Sequence, residues 1–165
     1  SINLIAKHYQ TGEKLDKEII NVIEKLKYLQ TGNFVLGQCE FGLTDMYLHT
    51  KPVVKNELEL DELLKKSLED FSIFESDKSF KKYASFSHIF DGGYSAGYYS
   101  YMWAEILEAD VFSVFKEKGI MNKEVANKYF DSILSKGTTK PAKDLFFDFM
   151  GREVNPKAFY ERKGL

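Results

Sequence analysis

The chain has 165 residues, with one cysteine, three prolines and three histidines. A single cysteine, Cys39, can close no internal disulfide and forms no C-x-x-C pair. That excludes a disulfide-stapled scaffold and the cysteine-rich zinc modules, and it suits a reducing compartment. Three prolines and 11 glycines are too few for a collagen-like or low-complexity chain. His8, His49 and His88 stand far apart, none with a second histidine three to five residues away. The H-E-x-x-H arrangement, which puts two metal ligands and a base on one helical face, is missing. So are a G-x-S-x-G turn for a serine nucleophile and a Gly-Lys-Ser/Thr following Gly92-Gly93 for a phosphate loop. Charge of one sign is lacking too: 23 basic against 25 acidic side chains give a formal net charge of −2, which leaves no basic footprint for nucleic acid. The first ten residues hold no long apolar run of the kind a secretory signal needs.

One segment is long and apolar enough to raise the question of a membrane. Tyr94 to Phe115 is mostly apolar, and a spanning helix takes about 20 such residues. Glu105, Glu108 and Asp110 fall in its second half, where each charge would cost about 2.5–3.5 kcal/mol at the bilayer centre. The segment reads as a helix buried inside protein, and no membrane partner is expected.

What the chain has in quantity is aromatic side chains, with 14 Phe and 10 Tyr, and 44% apolar residues. Its length corresponds to a single domain over residues 1–165, able to bury about two thirds of its unfolded surface. The patterning is helical nearly throughout, so the expected fold class is all-α. A short helix begins at Ile2 and runs to Thr11-Gly12. Asp16 caps a second, whose Ile19, Ile20, Ile23, Leu26 and Leu29 keep the three-to-four spacing of an amphipathic helix. Asn33 caps a third from Phe34 to His49, and residues 51–58 read as a loop. Helices are expected from Asp61 to Phe74, from Tyr94 to about Lys118, from Asn122 to Leu134, from Pro141 to about Met150, and from Pro156 to Gly164. The long helix from Tyr94, apolar on all sides, is expected to be almost wholly buried.

The densest feature is the run from His88 to Trp103. On a helix, Tyr94, Tyr98 and Tyr101 fall at i, i+4 and i+7 and share one face. Such a stripe can be plain core. Tyrosine in place of phenylalanine, however, adds polar tips that need partners, and Gly97 would let a ligand backbone come close. A row of phenol donors near His88 suits the stabilisation of a developing oxyanion, as in acyl transfer.

The block from His88 to Trp103, continued by Ala104-Glu105-Ile106-Leu107-Glu108-Ala109-Asp110, resembles the C-terminal signature of the thimet oligopeptidase family of zinc metallopeptidases. This family includes bacterial oligopeptidase A and peptidyl-dipeptidase. The resemblance covers nearly the whole chain. His8 to Glu13 resembles its H-x-x-T-G-E turn, and Gln38 to Phe41 with Asp45 to His49 its Q-x-E-F…D-x-x-L-H helix. Phe149 to Glu153 and the closing Gly164-Leu165 resemble its C-terminal end. Asp16 stands where the family often has Pro, and Thr138-Thr139 where Gly-Ser is common.

The resemblance implies the C-terminal portion of a two-lobed helical zincin-type enzyme. Its H-E-x-x-H zinc ligands precede the matched segment, so zinc would belong to the complete enzyme and this chain alone would be inactive. It implies short, cytoplasmic peptide substrates and, as partner, the missing zinc-bearing part of the same protein. Carried over, His88, Tyr94 and Tyr101 would bind the substrate backbone and stabilise the tetrahedral intermediate. Tyr98, Gly92 and Gly93 would contact substrate or let Tyr94 close on it. The alternative is a stand-alone, non-catalytic helical interaction module.

Overall fold

The computed structural model describes residues 2–51, 54–71 and 80–165, and among them the regular structure is helical, with a single isolated antiparallel bridge between Lys7 and Lys14. In chain order the helices are α1 (Ile2–Ile5), α2 (Lys17–Leu26), α3 (Thr31–Thr50), α4 (Glu57–Leu68), α5 (Ser87–Phe90), α6 (Ser100–Lys118), α7 (Lys123–Tyr129), α8 (Ala142–Met150) and α9 (Lys157–Lys163). The all-α class read from the sequence is the one observed. No helix among the described residues is long and apolar enough to cross a membrane.

Several boundaries follow side-chain chemistry visible in the sequence. Asp16 caps α2 by accepting from the Glu18 amide, and Asn122 caps α7 by accepting from Glu124 and Val125. Gly119 and Gly151 close α6 and α8 with positive φ. Others differ from expectation. The first helix stops at Ile5; Thr11 and Gly12 instead form the tip of a turn in which His8 N–H donates to Glu13 O and Gly12 N–H to His8 O. Asn33 is no cap. Helix α3 begins at Thr31 after Gln30 takes a left-handed conformation, which carries Gly32 inside the helix. Helix α4 starts before Asp61 because Asn56 caps it, its side chain accepting from the Glu59 amide. It gives way to a 3-10 turn over Glu69–Phe71, and Phe74 lies outside the described residues.

The main core gathers where α6 crosses α7 and α8. Val111, Phe146 and Phe149 are buried together, with Phe115, Val125, Tyr129 and Ile133 packed around them. Each such side chain taken out of water contributes about 1.5–3 kcal/mol. Helix α9 lies along α6, held by ion pairs as well as by the buried Phe159. Glu105 pairs with Lys163, Glu108 with Arg162 and Asp110 with Arg152. The three acids that argued against a membrane are thus the stitching that fastens the chain's last segments to α6.

The long helix differs most from its sequence reading. Tyr94 to Tyr99 are irregular turns, and the helix starts only at Ser100. Its buried residues are Ala109, Asp110 and Val111, whereas Tyr101 and Trp103 each remain 45% exposed. Apolarity on every side therefore does not bring burial here: Tyr101, Trp103 and Ala104 at the start of α6 stay exposed, and the fully buried residues lie in its middle turns. Helix α2 is similarly bare: Ile20 is buried, but Ile19, Val22 and Leu26 face outward.

Candidate functional site

The aromatic run comes together, but not as a helical stripe. Helix α5 presents His88, and the chain then doubles back. The Asp91 and Gly92 amides donate to Ser87 O, and the Tyr94 amide to His88 O. The two glycines serve different needs. A Cβ on Gly92 would lie 2.8 Å from the His88 Cα and carbonyl oxygen, so only glycine permits that approach. Gly93 has open space around it but sits at φ +78°, a conformation costing other residues about 1–2 kcal/mol.

Beyond Gly93 the chain turns through Ser95, Ala96 and Gly97. Ala96 adopts φ +55°, uncommon for a residue with a Cβ. The Tyr98 amide, which a helix begun at Tyr94 would have aimed at the Tyr94 carbonyl, donates instead to Asp45 Oδ2, and the Ala96 amide donates to Asp45 Oδ1, at 2.9 Å each. That is the physical reason the expected helix does not begin at Tyr94.

The result is a compact aromatic cluster. Tyr101 lies between Tyr94 and Tyr98, with ring centroids 5.0 and 5.2 Å away. His88 sits 6.2 Å from Tyr94 and 6.0 Å from Tyr98, edge-on to the latter. Phe41 and Phe86 back the Tyr98 ring at 5.6 and 5.0 Å. His88, Tyr98 and Tyr101 line a cavity of about 490 Å³ together with Phe34, Val35, Gln38, Met102, Glu105 and Phe159. The candidate residues His88, Tyr94, Tyr98 and Tyr101 are therefore brought together by a turn, while Gly92 and Gly93 shape the path between them. Tyr99, by contrast, rests its backbone on Gly42 of α3 and leaves its side chain 57% exposed, away from the cluster.

The three phenols differ in their surroundings. The Tyr98 hydroxyl donates to Gln38 Oε1 at 3.3 Å, and burial raises its pKa above the ordinary value. The neighbouring Tyr94 hydroxyl, then burial, raise that of Tyr101. Both phenols thus stay protonated, and stay donors, throughout the neutral range. Chemically, the cavity wall offers neutral O–H donors, an imidazole and apolar surface, a combination able to hold an extended chain of carbonyl groups. Among the described residues, no three His, Cys, Asp or Glu side chains gather so as to hold a metal ion.

Two residues quoted in the sequence without any role prove central to this geometry. Asp45 is fully buried beneath the loop, and His49 Nδ1 lies 2.9 Å from its carboxylate. The signal was present, in that a carboxylate on an otherwise mostly apolar stretch of helix needs partners, but nothing in the sequence says which backbone amides they are.

The whole chain also matches known proteins. The profile described as Peptidase family M3 matches residues 1–165. Oligopeptidase A of Escherichia coli is 40% identical over 165 residues, and saccharolysin of Saccharomyces cerevisiae 36% identical over 165. A dipeptidyl carboxypeptidase of Salmonella typhimurium is 26% identical over 162. These alignments cover 97–100% of this chain but only 23–24% of the relatives, so the chain spans about a quarter of their length. With a match running from its first residue to its last, the chain belongs to peptidase family M3.

Proposed function

We propose that this chain is the C-terminal, substrate-facing part of a zinc-dependent oligopeptidase that hydrolyses short peptides in the cytoplasm, residues 1–165 forming one helical unit of it. The observation that carries the reading is the clustering of His88, Tyr94 and Tyr101, with His88 and Tyr101 lining a cavity of about 490 Å³ and Tyr94 packed against both. The His88 imidazole and the Tyr94 and Tyr101 phenols donate hydrogen bonds to substrate carbonyls. They do so most strongly when the scissile oxygen gains charge, which is how preorganised donors lower a barrier. Tyr98, its hydroxyl already engaged by Gln38, is a wall on which the substrate rests. Gly92 brings the segment carrying Tyr94 tightly past His88, and Gly93, with open space around it, is the point at which that segment closes on substrate.

Among the described residues no three His, Cys, Asp or Glu side chains gather to hold a metal, so the zinc that the family resemblance assigns to the complete enzyme is left to its other residues. The partner that covers the exposed Ile19, Val22 and Leu26 face of α2 and the bare start of α6 is the zinc-bearing remainder of the same protein. By itself the segment neither cleaves peptides nor retains zinc.

The test is hydrolysis of internally quenched peptides by the full-length protein and by its His88→Ala variant. Cleavage that a chelator abolishes and that His88→Ala slows at least tenfold is expected. A full-length protein that cleaves no peptide, or segment 1–165 alone turning over substrate with stoichiometric zinc, contradicts the reading.

A further inference from the structure

We propose that Asp45 is the positioning residue of this site, holding the tyrosine turn in its working conformation from beneath; the inference rests on the peptidase reading above. Its carboxylate has no exposed surface. Oδ1 accepts from Ala96 N–H and Oδ2 from Tyr98 N–H, both at 2.9 Å, so the two oxygens bracket Gly97 from either side. Three features make this more than an ordinary buried hydrogen bond.

First, Ala96 is held at φ +55°. A strained backbone persists only where its surroundings over-determine it, and here the Asp45 oxygen fixes the amide of that very residue. Second, Asp45 and Gln38 lie two turns apart on α3 and so share a face. Gln38 takes the Tyr98 hydroxyl while Asp45 takes the Tyr98 amide. One helix thus clamps this tyrosine at both ends, and the Tyr101 ring packs against it at a tilt. Third, His49 braces the carboxylate. Its Nδ1 lies 2.8 Å from the Asp45 carbonyl oxygen and 2.9 Å from Oδ1. Both neighbours only accept, so Nδ1 carries the proton and donates.

A misplacement of about 1 Å at a reacting centre can lower rate 10²-fold. Asp45→Asn keeps the shape but loses one acceptor, turning an N–H donor toward an N–H donor. In the full-length protein the variant is expected to lower kcat about 10–100-fold while KM changes less than threefold. Amide hydrogen exchange should quicken at Ala96 and Tyr98 while the amides of α8 keep their protection, which separates positioning from a general loss of fold. If wild type cleaves peptides and Asp45→Asn leaves kcat and those two amides unchanged, the inference is overturned. If wild type cleaves nothing, the peptidase reading fails, and exchange at Ala96 and Tyr98 alone judges whether Asp45 holds the turn. Should the variant not fold, the wild-type protein decides: both amides must exchange at least about tenfold slower than in an unstructured peptide. Exchange at the unstructured rate overturns the inference.

Discussion

Arg152 closes two hydrogen bonds on the Asp110 carboxylate, at 2.7 and 2.6 Å, and the Asn155 amide adds a third at 2.7 Å. Asp110 is 2% exposed. Burial alone would raise its pKa; the guanidinium and the amide outweigh burial and hold it below the ordinary carboxylate value. A folded pKa below the unfolded one contributes stability that is complete above about pH 4 and is lost as the pH falls through the folded value. Arg152→Ala leaves a buried, unpaired carboxylate and is expected to destabilise the fold by about 2–3 kcal/mol at neutral pH, below the value usual for a fully buried pair because Arg152 is partly exposed. Denaturant melts of wild type and variant at pH 7 and near pH 3 check this. The gap between them should shrink in acid; a gap equal at both values contradicts the assignment.

The glycine pair offers a second test. Gly92→Ala drives a Cβ into the His88 backbone, which cannot swing away, whereas Gly93→Ala meets only its own positive φ. Unfolding measurements should give a loss of about 1–3 kcal/mol for the first and about 1–2 kcal/mol for the second. The ring-proton shifts of His88 should move only in Gly92→Ala. Equal shifts in both variants would show that the contact at Gly92 does not set the His88 position.

The core makes a third prediction. Phe149→Ala removes a ring packed on Phe115 and Tyr129 beneath Val111 and should cost about 3–5 kcal/mol. Phe130→Ala, at a half-exposed ring one residue beyond α7, should change stability by less than about 1 kcal/mol. Thermal melts that rank these two the other way would displace the core from the α6–α8 crossing.

Much of this was legible in the sequence. Capping side chains at Asp16 and Asn122 and the terminating glycines Gly119 and Gly151 fixed helix ends by local chemistry, and the identities of the cluster residues followed from one dense run. What could not be read is decided over long separations. The spacing of Tyr94, Tyr98 and Tyr101 fits a helical face, yet Asp45, about fifty residues earlier, captures the Ala96 and Tyr98 amides and makes the segment a turn. The same residues still converge, by a different geometry. The early start of α4 was missed because Asn56 lay in a polar stretch that looked like loop. The exposure of Trp103 depends on what packs against α6, which periodicity cannot supply.

The central claim is that the Tyr101 hydroxyl acts on substrate while Tyr99, two residues earlier, does not. The measurement is kcat and KM of the full-length protein and its Tyr101→Phe and Tyr99→Phe variants on one quenched peptide. Each change removes a single hydroxyl with little loss of volume, so folding should be preserved. Loss of a donor that acts in the transition state should reduce kcat about 10²–10³-fold, or ~2.7–4 kcal/mol. Tyr101→Phe is predicted to show that loss, and Tyr99→Phe, with its exposed ring turned from the cavity, to keep wild-type turnover. Wild-type turnover in Tyr101→Phe would contradict the account and return the tyrosine cluster to the role of packing alone.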